Sequence, residues 1–62
     1  MTIKERRIAK GLTQEQLAAI MKTERSTVAK WEAGGSMPRA DKLVILADVL
    51  SCTVDELLRD AG

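Results

Sequence analysis

The residues with the most varied hydrogen-bonding groups lie together between positions 25 and 30. At 100° per residue, one arc of a helix through this segment carries Arg25, Ser26, Ala29 and Lys30, and none of these side chains is both large and apolar. An arginine donates two parallel hydrogen bonds to guanine O6 and N7, a serine bonds several bases, and a lysine reaches guanine or phosphate. An ordinary solvated helix face has the same composition, so each residue taken alone favours that simpler interpretation.

Side chains that could catalyse a reaction or hold a metal are scarce. The chain has no histidine and one cysteine, Cys52, so a zinc site would rest on a single thiol and scattered carboxylates. We predict that Cys52 is a buried, inert thiol. Asp55, Glu56 and Asp60 lack a histidine or tyrosine partner, and we interpret them as the capped start and solvated end of a helix. The sequence therefore predicts no catalytic residue, no metal, no cofactor and no enzyme.

Charge is unevenly distributed, although the formal net charge is only +1. Residues 1–30 carry seven basic and three acidic side chains, whereas residues 31–62 carry three basic and six acidic ones. A basic half beside an acidic half suits a polyanion-binding surface, although random scatter also produces such a difference in a short chain.

Length and composition predict one small cytoplasmic domain. A chain of 62 residues holds a single core and buries only about 60% of its unfolded surface, so its stability is modest. No apolar run approaches the ~20 residues of a membrane span, and the first residues lack the apolar stretch of a secretory signal. With one cysteine, no internal disulfide is possible, which suits a reducing compartment.

Start and stop signals divide the chain into five short helices. Three capping boxes, each a threonine followed three residues later by Glu or Gln, predict helix starts at Thr2, Thr13 and Thr53. Gly11 supplies a left-handed residue that ends the first helix, and Pro38 opens the fourth. The predicted helices run from Thr2 to Gly11, Thr13 to Met21, Arg25 to Ala33 (stopping at Gly34 and Gly35), Arg39 to Leu50, and Thr53 to about Arg59. No segment alternates for long enough to predict a strand.

The second and third predicted helices share a compact core that holds the third outward as a ridge. Leu17 and Met21 fall on one face of the second, and Val28 and Trp31 on one face of the third. We therefore interpret Trp31 as a core residue rather than a stacking platform. The small Ala18 lets the two helices approach closely. A helix of this diameter fits the major groove of B-DNA, where each base pair presents its own donor and acceptor pattern.

These features together resemble the Cro/CI-type, or Xre, family of helix-turn-helix domains. The similar segments are GLTQEQLA at 11–18, RSTVAKWE at 25–32, the glycine at 34 and VDELL at 54–58, and they cover essentially the whole chain. The resemblance implies an all-α, compact five-helix bundle, lambda-repressor-like, with the helix-turn-helix formed by helices 2 and 3 and one domain over residues 1–62. It implies a sequence-specific DNA-binding transcriptional regulator, predicted to be a repressor, in the cytoplasm of a bacterium or a phage-infected host cell.

The resemblance also implies roles for individual residues. It places base contacts at Arg25, Ser26 and Lys30. It places contacts to DNA phosphates at Gln14, Thr27 and Arg39. Gln14 begins the second helix, where free amides and the positive end of the helix dipole attract phosphate, and Thr27 is alternatively a residue that only caps and packs. Arg7 and Glu32 match a structural salt bridge between the first and third helices.

Three features depart from the family pattern. Lys22 replaces the Gly or Asn favoured at the turn, where a left-handed backbone costs a lysine about 1 kcal/mol. Glu24 replaces the Ser or Thr that usually caps the recognition helix, and its carboxylate would repel a nearby phosphate. The loop at 34–37 lacks the usual lysines. With the low net charge, these departures predict modest DNA affinity for a single subunit.

The predicted partner is an inverted-repeat DNA operator bound by a homodimer. Val44, Ile45 and Val49 exceed what one core face needs, which fits either dimerisation or packing against the last helix. Two alternatives stay open: an antitoxin that represses its own toxin–antitoxin operon, or a protein-interaction module that has lost DNA binding. The first adds a toxin as partner, and an effector partner is also compatible with a regulator.

Overall fold

The five helices are those that the start and stop signals predict. The computed structural model describes residues 1–61, and within them there is no strand. In chain order the helices are α1 (Ile3–Ala9), α2 (Gln14–Ile20), α3 (Arg25–Ala33), α4 (Ala40–Val49) and α5 (Val54–Ala61). The prediction of an all-α five-helix bundle is therefore confirmed.

Threonine caps begin three of the helices, as the sequence predicts. The capping boxes pair Thr2 with Glu5, Thr13 with Gln16, and Thr53 with Glu56. In the first, the Thr2 hydroxyl accepts from the Glu5 backbone N–H at 3.1 Å, and the Glu5 carboxylate accepts from the Thr2 N–H at 2.9 Å. Each box satisfies two backbone donors that a helix start otherwise leaves without a partner.

Left-handed residues end the first four helices. Gly11 and Gly34 have φ of +71° and +79°, and the same conformation is adopted by Lys22 (φ +54°) and Ser51 (φ +56°). After α2, the Thr23 N–H donates to the Ala18 carbonyl at 2.9 Å, which is the six-residue bond of a Schellman motif. The left-handed turn predicted at position 22 is therefore present, with a lysine in a conformation that favours glycine.

The boundaries of the last two helices differ from the prediction. Helix α4 begins at Ala40 rather than Arg39, because the backbone of Arg39 is extended (φ −64°, ψ 161°) and the residue serves as the N-cap. The Arg39 side chain has only donors, so it makes no cap hydrogen bond to the free amides. Pro38 is buried in the preceding loop and does not open the helix. Helix α4 ends at Val49 rather than Leu50, and α5 continues to Ala61 rather than stopping near Arg59.

One core lies between the five helices, and α2 and α3 make the most extensive contact. Leu17, Met21, Val28 and Trp31 are all buried, which confirms the predicted scaffold of the two central helices. The remaining buried apolar residues are Ile3, Ala18, Leu43, Leu46, Ala47, Leu50 and Leu57.

The apolar surplus of α4 is divided between the core and the surface. Val49 is half-buried and packs against the core, whereas Val44 and Ile45 are 62% and 45% exposed. Packing inside the domain therefore accounts for Val49 but not for the other two apolar residues of the surplus, Val44 and Ile45. Cys52 is half-buried rather than fully buried; burial raises the pKa of its thiol, and the neighbouring Arg6 partly opposes that shift.

Candidate nucleic-acid interface

Helix α3 presents opposite faces to the core and to solvent. Val28 is fully buried and Trp31 is 7% exposed, so the inner face is fixed by packing. The predicted base-contacting residues Arg25, Ser26 and Lys30 are exposed on the other side. The guanidinium, hydroxyl and ammonium groups of this outer face are therefore accessible to a ligand without any rearrangement of the core.

A lysine of α4 supports the turn between α2 and α3. Lys42 Nζ donates to the Met21 carbonyl at 2.7 Å, where the last carbonyls of α2 lack partners within the helix. The contact ties α4 to the turn that sets the angle of α3. This role of Lys42 is not predicted from the sequence, because nothing in the local pattern relates residues 21 positions apart.

Arg7 and Glu32 form an ion pair between α1 and α3. Arg7 Nε lies 2.6 Å from Glu32 Oε2, and Arg7 Nη2 lies 3.3 Å from Glu32 Oε1. Arg7 Nη1 also donates to the Leu12 carbonyl at 2.7 Å, so one buried guanidinium joins two helices and the intervening loop. Burial by itself would raise the pKa of Glu32, but hydrogen bonds from Arg7 and Gln14 outweigh it and lower that pKa.

Gln14 connects this ion pair to the first residue of α3. Its Nε2 donates to Glu32 Oε1 at 2.9 Å, and its Oε1 accepts from Arg25 Nη1 at 3.2 Å. We call the connected residues Arg7, Glu32, Gln14 and Arg25 the Gln14 bridge. An exposed arginine at the start of α3 is thus attached, through one amide, to a buried pair. The amide is engaged inside the chain, and its predicted contact with phosphate stays a prediction.

Glu24 is the N-cap residue of α3 but makes no side-chain cap. Its carboxylate instead accepts a long hydrogen bond, 3.4 Å, from the Ser26 hydroxyl. Thr27 is half-buried beside this helix start, and Arg39 is exposed at the start of α4. The structure thus keeps all six predicted DNA-contacting residues at least partly accessible, with Ser26 sharing its hydroxyl with an acid.

Comparison with known proteins identifies the motif that these helices form. A family model described as helix-turn-helix matches residues 3–57. The chain belongs to the helix-turn-helix family.

One curated relative is similar over most of this helix-turn-helix chain. It is the HTH-type transcriptional activator BcrR of Enterococcus faecalis, with 39% identity over 56 residues. The match covers 90% of the chain but only 28% of the relative, so the chain spans about a quarter of that protein's length. No solved structure gave a significant match.

A second ion-pair cluster joins α1 to α5 in the helix-turn-helix domain. Arg6 Nε lies 2.7 Å from Asp60 Oδ2, and Arg6 Nη2 lies 3.3 Å from Glu56 Oε2. The hydrogen bond from Arg6 lowers the pKa of Asp60, and the capping contacts with Thr53 lower that of Glu56. Asp60 therefore serves a structural pair, where the sequence predicted a solvated helix end. Arg6 belongs to the basic half of the sequence, but two carboxylates balance its charge.

Metal binding and membrane insertion are the two other kinds of site that side-chain chemistry and helix length could indicate. Residues 1–61 contain no cluster of three or more potential metal-binding side chains of the His, Cys, Asp or Glu type. None of the helices described in this range has the length and apolar character needed to traverse a bilayer.

Proposed function

We propose that this domain binds double-stranded DNA sequence-specifically as part of a transcriptional regulator, with α3 in the major groove. One observation carries the proposal: the exposed arc of Arg25, Ser26 and Lys30 lies on a helix whose other face is locked into the core of a helix-turn-helix domain. A rigid helix with several hydrogen-bonding side chains is what direct reading of base edges requires. The similarity to a transcriptional activator supports the same class of function.

Each side chain has a proposed role at the duplex. Arg25 and Lys30 read guanine edges, and Ser26 bonds a neighbouring base once its hydroxyl leaves Glu24. Phosphates on either side of the groove are contacted from Gln14, Thr27 and Arg39. The phosphate contacts supply most of the affinity and fix the register, whereas the base contacts supply the discrimination.

We further propose a two-fold dimer on an inverted-repeat operator. Two recognition helices then enter half-sites about one helical turn apart. The acid at position 24 and the net charge of +1 limit what one subunit contributes, so pairing two subunits gives the affinity that one lacks. Repression is the predicted outcome at the operator; the relative is named an activator, and both outcomes require the same DNA binding. The place of action is the cytoplasm, where the operator lies.

A second candidate function is a protein-interaction module that keeps the fold without binding DNA. The contact between Glu24 and Ser26 favours this second function. The Glu24 carboxylate does not cap α3 but lies at the start of the proposed recognition helix, where it would repel a DNA phosphate. Salt dependence separates the two functions. Retention on DNA that falls as salt rises supports DNA binding, since counterion release drives it.

The decisive experiment selects bound sites from a randomised duplex pool. We expect an enriched half-site, repeated with two-fold symmetry at a spacing of about 10 base pairs. The same selection with Arg25→Ala should lose preference at one position of the half-site. Arg59→Ala, which removes an exposed arginine of α5, is the matched control and should return the parent site. No enrichment at low salt would overturn the proposal.

A further inference from the structure

The outer face of α4 carries a stripe that the DNA-binding proposal does not use. Asp41, Val44, Ile45 and Asp48 occur at helix positions i, i+3, i+4 and i+7, so they fall within one arc of about 100°. All four are exposed, whereas Leu43 and Leu46 on the opposite side of the helix are buried. We call these four residues the α4 stripe.

The stripe combines an apolar centre with two free carboxylates. Val44 is the second most exposed of the large hydrophobic residues within 1–61, and Ile45 is its direct neighbour. Among the ion pairs of the described residues, none involves Asp41 or Asp48. The acids of the neighbouring α5 differ, because Glu56 and Asp60 are both paired with Arg6. Asp41 lies in the first turn of α4, where the helix dipole favours a carboxylate, but neither acid of the stripe has a cationic partner among the described residues.

Symmetry argues against a second copy of the chain as the occupant. A two-fold contact centred on the stripe brings the same patch of two copies together. If the two α4 helices run antiparallel, Asp41 of each copy meets Asp48 of the other; if they run parallel, each acid meets its own copy. Both arrangements place like charges at both ends of the apolar contact. A partner with positive charge at both ends avoids that repulsion and is attracted.

We propose that the α4 stripe is a docking face for a basic amphipathic helix of another protein. The complementary segment carries apolar side chains at its centre and a lysine or arginine about one turn to either side. The apolar pair supplies the buried contact and the acids supply orientation and choice of partner. None of the four stripe residues belongs to the exposed arc of Arg25, Ser26 and Lys30, so the two proposed binding faces share no residue.

A synthetic helical peptide tests the proposal on the whole chain. The probe has about 16 residues, two adjacent leucines at its centre, and lysines about one turn away on each side. Added to the isotope-labelled chain, it should shift amide resonances of residues 41–48 and their immediate neighbours. Binding should weaken when ionic strength rises from about 0.01 M to about 0.15 M, because the screening length falls from about 30 to 8 Å. A peptide with glutamates in place of the lysines is the control and should not bind.

Substitutions in the stripe should weaken this binding. Asp41→Lys with Asp48→Lys should weaken it about tenfold, since two exposed attractive pairs become repulsive. Val44→Ser with Ile45→Ser provides a second variant that leaves the charge unchanged and should also lose binding. Glu15→Lys with Glu24→Lys changes the net charge equally on the exposed surface outside α4, and should keep it.

Several results would overturn the docking face. They are equal binding of the acidic peptide, shifts confined to other helices, or equal loss in the Glu15/Glu24 variant. Self-association would also overturn it: α4 resonances that move with protein concentration, with a dimer in sedimentation, would show that a second copy covers the stripe. DNA plays no part in these measurements, so a failure of the docking face is distinguishable from a failure of the proposed DNA binding. A dimer through α4 would overturn the docking face and support the proposed two-fold dimer.

Discussion

Arg25 is exposed, and its guanidinium is held in place by a hydrogen bond within the domain. Both properties matter for reading DNA. Its guanidinium lies at the start of α3 and is held by the Gln14 amide, which is itself held by Glu32. A side chain that is already oriented loses less conformational freedom when it meets a base edge. The Gln14 bridge therefore links a buried ion pair to an exposed guanidinium at the start of α3.

Replacing Arg25 tests base reading at a single residue. We expect Arg25→Ala to cost about 1–3 kcal/mol on the selected site and to relax preference at one base pair. Arg25→Lys keeps the charge but loses the two-pronged geometry, so most of the specificity should be lost while non-specific affinity remains. Competition binding against single base-pair variants of the site measures both. Equal losses on the selected site and on random DNA would contradict a base contact.

Glu32 is the residue whose loss should destabilise the fold most clearly. Glu32→Ala leaves the Arg7 guanidinium buried without its carboxylate, and breaking such a pair costs about 3–5 kcal/mol. Arg7→Met with Glu32→Leu removes both charges and should recover most of the stability, because two apolar side chains need no ionic partner. Urea unfolding followed by the fluorescence of Trp31, the only aromatic residue, measures both variants. A single Glu32→Ala variant as stable as the parent would show that the pair contributes nothing.

Acid should weaken the fold through the same carboxylate. The pKa of Glu32 is below its ordinary value of 4.5 in the folded chain, so the unfolded chain binds a proton first as pH falls. Its contribution to stability is therefore complete above about pH 4.5 and is lost as pH falls through the lower folded value. Glu32→Gln should flatten this part of the pH profile of the unfolding free energy. A variant profile parallel to that of the parent would assign the acid sensitivity to other carboxylates.

At the scale of the helices, their ends are the most regular feature of the chain. The first four helices stop at a left-handed residue, and two of those residues are not glycine. Nothing lies within 4 Å of a Cβ built at Gly11 or Gly34, so space is not what requires glycine there. The requirement is conformational, and the same requirement applies to Lys22 and Ser51.

Glycine at position 51 should stabilise the domain. Relief of the left-handed conformation favours Ser51→Gly by about 1–2 kcal/mol, and the greater freedom of glycine in the unfolded chain returns about 0.5–1 kcal/mol. From the middle of each range, the expected net gain is about 0.7 kcal/mol in the unfolding free energy. Gly34→Ala is the reciprocal control and should lose about 1 kcal/mol without any clash. A neutral or negative effect of glycine would show that the serine is held by something other than backbone preference.

How far the sequence predicts the helices depends on how local each signal is. The threonine caps and the glycine stops act within a few residues, so Thr2, Thr13, Thr53 and Gly11 were all assigned correctly. Arg39 was placed inside α4 because a proline before a helix indicates its start only to within one or two residues. The contact from Lys42 to Met21 could not be predicted, since it depends on how two helices cross.

At the scale of the whole molecule, the sequence distribution of charge overstates the basic surface. Seven basic residues precede position 31, but Arg7 is buried with Glu32 and Arg6 is paired with two acids of α5. The pairing joins residues about 50 positions apart, which no local pattern reveals. Of these seven basic residues, only the four lysines and Arg25 are left without an ion-pair partner within residues 1–61, so this half of the chain offers less positive charge to DNA than its sequence indicates.

This difference between paired and free arginines can be measured by salt dependence. An arginine that neutralises a phosphate contributes about 0.9 to the slope of log affinity against log salt. We expect Arg39→Ala, which removes an exposed arginine at the start of α4, to reduce that slope by about 0.9. Arg6→Ala removes the same formal charge but should leave the slope unchanged, because its counter-charges are already Asp60 and Glu56. It should instead lower the thermal stability by loosening α5 from α1. Equal slopes for both variants would mean that net charge alone governs affinity, and unequal slopes in the opposite order would place the phosphate contact on α1.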